Sequence, residues 1–110
     1  MSVESIKKTH EFKLLFKRGS SFVTHGFVCY YLEGGLTNRI GIVASKKVGN
    51  AVKRNRAKRV IREAFRLAER KFTEKTGKCY DFVFIARGKT PYFKSTQIYE
   101  LITKDLLNKL

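Results

Sequence analysis

The chain has 110 residues, enough for one domain with its own hydrophobic core and no need of disulfides or a structural metal. Apolar residues make up 43% and aromatics 13%, a globular composition that excludes a disordered basic tail. Against nine Asp and Glu stand 24 Lys and Arg, a formal charge of +15 that calls for a polyanionic partner, either nucleic acid or an anionic membrane.

No apolar run approaches the length of a bilayer span, and the first residues, MSVESIKK, lack the apolar core of a signal peptide. A cytoplasmic protein with no membrane role and no obligate protein partner is therefore expected. Cys29 and Cys79 lie fifty residues apart in strand-like surroundings and read as free thiols. Together with His10 and His25 they show no zinc-ligand spacing, so no metal site is expected.

The first predicted element is a short amphipathic helix, opened by Ser5 or Thr9 and closed by Gly19. Phe12, Leu15 and Phe16 recur in it at i, i+3 and i+4. From Ser21 to Leu32 the chain is β-branched and aromatic, two strands or one bent strand, with Gly26 as bulge or turn and Gly34-Gly35 as the break. Alternation along this run sends Tyr30 and Tyr31 to opposite faces. RIGIVASKK, residues 39–47, is apolar on nearly both sides, as an interior strand covered on both faces would be, and its end delivers Lys46 and Lys47.

Gly49-Asn50 supplies a break and an N-cap. Beyond it Ala57, Val60, Ile61, Ala64, Phe65, Ala68 and Phe72 recur at spacings of three and four, a helix of about twenty residues that Thr76-Gly77 ends. YDFVFIARG, residues 80–88, reads as a strand, so strand, helix and strand form a βαβ unit. After a loop with the one proline, Pro91, a final helix from Ser95 carries Ile98, Leu101, Ile102 and Leu106 on one stripe. The order α-β-β-β-α-β-α predicts an α+β fold. A single domain over residues 1–110 is expected, a two-layer sandwich with a four-stranded central sheet and helices packed on it.

The long helix is the unusual element. From Lys46 to Lys71 there are eleven cations and two carboxylates, Glu63 and Glu69. A merely solvated face would interleave Glu and Lys at i, i+4 for mutual support, and cations in the first turns oppose the helix dipole. Arg dominates the middle of the cluster, and its planar fork suits phosphate oxygens and base edges. The apolar stripe fixes one side of the helix to the sheet, so the charge forms an oriented face suited to nucleic acid. A second, weaker signal is aromatic: Phe12, Phe16, Phe22, Phe27, Tyr30 and Tyr31 are candidates for stacking on single-stranded bases, each weighed against the core. No nucleophile beside a base, no paired carboxylates and no glycine-rich phosphate loop is present in sequence, so no catalytic residues are assigned.

At SKKVGNAVKRNRAKRVIREAFR the sequence resembles the protein subunit family of bacterial ribonuclease P, whose signature is an RNR box on a basic helix, here Arg54, Asn55 and Arg56. HEFKLLFKRGSSF, FVCYYL, RIGIVASKK and YDFVFIARG resemble the family's other elements in the same order. The resemblance implies a ribonucleoprotein endonuclease that removes the 5′ leader from precursor tRNA, with the RNA subunit and its Mg²⁺ ions carrying out the hydrolysis and the protein as a non-catalytic subunit. Arg54, Asn55, Arg56, Lys58, Arg59 and Arg62 would face the catalytic RNA. Phe12, Phe16 and Tyr30, with Lys46 and Lys47 nearby, would line a cleft that receives the leader of the precursor. The family also implies a left-handed βαβ crossover, against the common rule. Composition alone leaves a ribosomal protein or a self-sufficient nuclease open as alternatives.

Overall fold

The structure is a computed structural model that describes residues 4–110. In chain order it contains β1 (Glu4–Ser5), α1 (Thr9–Arg18), β2 (Ser20–Val23), β3 (Phe27–Glu33), β4 (Arg39–Val43), α2 (Ala51–Thr76), β5 (Tyr80–Ala86) and α3 (Ser95–Glu100). Short 3₁₀ turns at Lys46–Val48 and Thr90–Tyr92 flank α2 and β5. Beyond Glu100 the last helix continues in π register over Leu101–Leu106 and tightens to a 3₁₀ turn at Leu107–Lys109.

The sheet order is β1-β4-β5-β3-β2. β5, the most apolar strand, lies at the centre, antiparallel to β3 and parallel to β4, so β4, α2 and β5 form the expected βαβ unit. The predicted four strands are present. A fifth, the two-residue β1, runs parallel to β4 along its outer edge, too short to leave a periodic signal.

Local chemistry explains the long helix. Asn50 caps it, its side chain accepting from the Lys53 amide at 3.0 Å. At the other end Gly77 takes φ +68°, the left-handed conformation that favours glycine. Between these caps α2 runs 26 residues, longer than the predicted twenty because the helix begins at Ala51, before the apolar stripe starts at Ala57, and continues past Phe72 to Thr76. At the start of α1, Thr9 is the first helical residue, and Ser5 belongs to β1 instead.

The two faces of the sheet are covered unequally. On one, Phe27, Cys29, Phe82, Phe84 and Ala86 are buried under Ala57, Ile61, Ala64, Phe65, Ala68 and Phe72 of α2, together with Ile98, Ile102 and Leu106 of the last helix. Phe65 is wedged edge-on between Phe82 and Phe84, with ring centroids 5.2 and 5.6 Å away. On the other face, α1 inserts Leu15 against Val83 and Ile6, while Phe12, Tyr30, Leu32, Val43 and Ile85 remain partly buried. α1 thus adds a partial third layer to the two-layer arrangement that the sequence predicts. Periodicity identifies the apolar side of a helix but not which face of the sheet receives it.

Arg39 ties this second layer down. Its Nε and Nη2 donate to Asp81 at 2.9 and 2.7 Å, and its Nη1 donates to Glu11 of α1 at 2.7 Å. These bonds, Asp81 first, raise the pKa of the guanidinium still further. The glycine at position 41 is required by the same layer. A Cβ there would lie 2.6 Å from the Phe12 ring, so only glycine lets α1 sit this close to β4.

Candidate nucleic-acid interface

At about 100° per residue, the cations of α2 separate into groups with different roles. Arg59, Arg62, Arg66 and Arg70 project from the side away from the core and are exposed, as is Asn55; Lys58 is half-buried at the border. Arg54 falls about 40° from the centre of the apolar stripe, within its width and one turn before the core begins. It is accordingly half-buried, and its Nη1 donates to the Gly49 carbonyl at 2.9 Å. Arg56, although exposed on the whole, donates from Nε to the Pro91 carbonyl at 2.6 Å. Lys53 lies over the Tyr92 ring, 5.7 Å from its centroid. The family resemblance sets Arg54 and Arg56 with Lys58, Arg59 and Arg62 as residues facing RNA, whereas in the structure Arg54 and Arg56 also staple the start of α2 to its flanking loops.

What remains on the outer face is not neutralised from within. Among the described residues the ion pairs are Arg39 with Glu11, Arg39 with Asp81, and Lys78 with Glu33; none uses a cation of α2. Glu69, one of the two acids in the basic segment, points inward and accepts from Asn38 Nδ2 at 2.9 Å. Held on a rigid helix, with exposed Glu63 as the one carboxylate among these arginines and in no ion pair with them, this face presents a row of phosphate-binding groups.

The second feature lies on the sheet face that α1 only partly covers. Phe16 is 43% exposed and stands edge-on to Tyr30, with centroids 5.0 Å apart. Phe12, half-buried, lies against Gly41. Strand register places Val43, Ile85, Val28 and Val23 in one row across four strands, with Val43 and Ile85 at the margin of the cluster that Leu15 of α1 enters. Val43, Ile85 and Val28 are half-buried, and Val23 is 60% exposed at the sheet edge. Helix and row form the wall and floor of an open cleft. Lys46 and Lys47, both exposed, follow β4 at the end of this floor, in the 3₁₀ turn anchored by buried Val48. The structure therefore brings Phe12, Phe16 and Tyr30 together, with the two lysines at the cleft mouth and the α2 N-terminus just beyond.

Of the other aromatic candidates, Phe27 is fully buried, and Tyr31 faces the α2 side, 6.3 Å from the Tyr80 ring. Phe22 pairs with Cys29 and shares that side, under the Lys109 ammonium. Cys29 is buried, which pushes its thiol pKa up; Cys79 lies before β5 with its Sγ 3.4 Å from the Leu36 carbonyl. Among the described residues no group of His, Cys, Asp or Glu is arranged to hold a metal, and no helix is long and apolar enough to cross a membrane.

The ribonuclease P family model matches residues 2–110. The chain belongs to the ribonuclease P protein family. A ribonuclease P protein component from Clostridium kluyveri is 43% identical over 99% of this chain and 100% of its own length. Among solved structures, the ribonuclease P protein of Staphylococcus aureus superposes with a TM-score of 0.77 at 32% identity, covering 98% of this chain and 96% of that one. The Thermotoga maritima protein gives 0.77 at 30% identity, covering 97% of each chain. As a ribonuclease P protein component, the chain is a subunit of an endoribonuclease holoenzyme.

Within this ribonuclease P protein, sequence reasoning missed the apolar floor Val23, Val28, Val43 and Ile85. Alternation marks each of them as facing away from α2, but only the register across strands places them in one row.

Proposed function

We propose that this chain binds the catalytic RNA of ribonuclease P through the outer face of α2 and the single-stranded 5′ leader of precursor tRNA through the cleft beside α1. The observation that carries this reading is the adjacency of two unlike surfaces: an uncompensated cationic helix and, at its N-terminal end, an aromatic and apolar groove guarded by Lys46 and Lys47. Asn55, Lys58, Arg59 and Arg62 meet RNA phosphates. Arg54 and Arg56 hold the helix start in place and add positive potential there. In the cleft, bases stack on Phe16 and Phe12 beside Tyr30 while the lysines take the backbone, a sequence-tolerant mode suited to leaders of different sequence.

The protein's role in cleavage is binding and positioning. Two carboxylates near the cleft, Glu11 and Asp81, are committed to Arg39, and a groove bordered by lysines attracts phosphate and not metal. These residues do not fit a Mg²⁺ cage, so we assign the metal to the RNA subunit and no chemical step to the protein. A cytoplasmic location accords with these RNA partners.

Reconstitution tests the proposal. Added to a bacterial ribonuclease P RNA at low Mg²⁺, the protein should promote cutting of precursor tRNA at its mature 5′ end, and the complex should bind precursor more tightly than mature tRNA. Failure with several such RNAs, or equal affinity for precursor and mature tRNA, would refute it.

A further inference from the structure

A cavity of about 610 Å³ lies behind the free edge of the sheet, between β2, the turn after it and the end of the last helix. This is within the usual size range of small-ligand sites. Phe22, His25, Arg87, Lys104 and Lys109 contribute an aromatic ring and four basic side chains to its lining, against one carboxylate, Asp105. Lys109 Nζ lies 5.7 Å from the Phe22 centroid, so the ring and a cation already share one spot. Arg87 is held by its Nη1, which donates to the Thr24 carbonyl at 2.9 Å.

Two independent features set this cavity apart from an ordinary basic surface. Leu101, Lys104 and Asp105, which line it, all belong to the π-register segment Leu101–Leu106. A π segment widens the helix and redirects its side chains, and such segments concentrate at functional sites. The cavity also continues the cleft. The apolar floor runs from Val43 through Ile85 and Val28 to Val23, and Val23 lines the cavity as well. Val23 thus belongs to both surfaces, with Phe22 beside it facing the opposite side of the sheet.

We infer that the cavity is a second leader subsite, which takes leader nucleotides farther from the cleavage point after they have crossed the sheet and turned over the β2 edge. The inference rests on the assignment of the cleft to the leader. The floor spans three interstrand gaps, about 14 Å, so a short leader ends on it and a longer one reaches Lys104 and Lys109. The cations take backbone phosphates, and Phe22 with its overlying lysine offers a stacking surface for one base. The site gives the protein a dependence on leader length without any sequence reading.

The test uses the reconstituted holoenzyme with two precursor tRNAs, bearing leaders of about four and about fifteen nucleotides, the limits of common single-strand site sizes. The variant is Lys104→Ala combined with Lys109→Ala, two exposed positions outside the cleft. Affinity for the long-leader precursor should fall several-fold, with the log–log salt slope shallower by about 1.4 units, two single-strand phosphate contacts. Affinity for the short-leader precursor should not change. An equal loss on both leaders would assign the lysines to RNA-subunit contact, and no loss on either would leave the cavity without a leader role; both overturn the inference. Wild-type holoenzyme binding both precursors no better than mature tRNA would instead refute the leader cleft itself.

Discussion

The two faces of the sheet draw on the same residue types and put them to opposite uses. On the α2 side, Phe27, Phe65, Phe72, Phe82 and Phe84 are each 1% exposed or less, and their rings contact one another. On the α1 side a ten-residue helix spans only part of the sheet, and Phe16 is left 43% exposed beside Tyr30. The difference arises from helix length and placement, not from aromatic content. A long capped helix closes one face and supplies stability, which permits the other face to remain open for binding.

The closed face is most sensitive at Phe65, whose ring meets those of Phe72, Phe82 and Phe84. Phe65→Ala should cost about 3–5 kcal/mol and lower the thermal midpoint sharply, because three neighbouring rings cannot collapse into the gap. A loss under about 1 kcal/mol would mean that the closed face is not the stabilising one. Gly41→Ala acts between the faces, driving a methyl into Phe12. Displacement of α1 should cost about 1–3 kcal/mol and weaken discrimination of precursor from mature tRNA, measurable by parallel denaturation and binding titrations.

Phe16→Ala should reverse the Phe65 pattern. Stability should change by less than about 1 kcal/mol, while precursor affinity falls by about 1–3 kcal/mol, the value of one stacked base, and mature tRNA affinity holds. Equal loss on both RNAs would make Phe16 part of the core. The smallest effect belongs to Arg56→Ala. Removal of its bond to Pro91 should cost about 1 kcal/mol of stability with the cooperative transition retained, and the salt dependence of RNA-subunit binding should flatten by about one unit. An unchanged slope would restrict Arg56 to the staple.

Features that depend on local chemistry were legible in the sequence. Asn50 and Gly77 bound the basic helix as their capping preferences require, and Tyr30 and Tyr31 separate to the two faces as alternation demands. The family resemblance at Arg54-Asn55-Arg56 agrees with the match over the whole chain. Features that depend on long-range packing were not legible. The face taken by α1, the row from Val43 to Val23 and the pairing of Asp81 with Arg39 join residues far apart in sequence. Arg54 shows the limit within a helix: its angular position is readable, but its tie to Gly49 depends on how the preceding loop folds back.

The central position of β5 has a consequence for how the molecule is made. β4 and β3 take β5 as the strand between them, and β5 follows them by the entire length of α2. Until residues 80–86 leave the ribosome, the hairpin of β2 and β3 can form, but the middle of the sheet cannot. Such non-local pairing slows folding, because loop closure precedes the contacts that reward it. During synthesis, therefore, the strongly cationic segment emerges before the central strand that completes the sheet beneath its apolar side, and an RNA that neutralises it at that stage would act on the folding of the chain as well as on its later work.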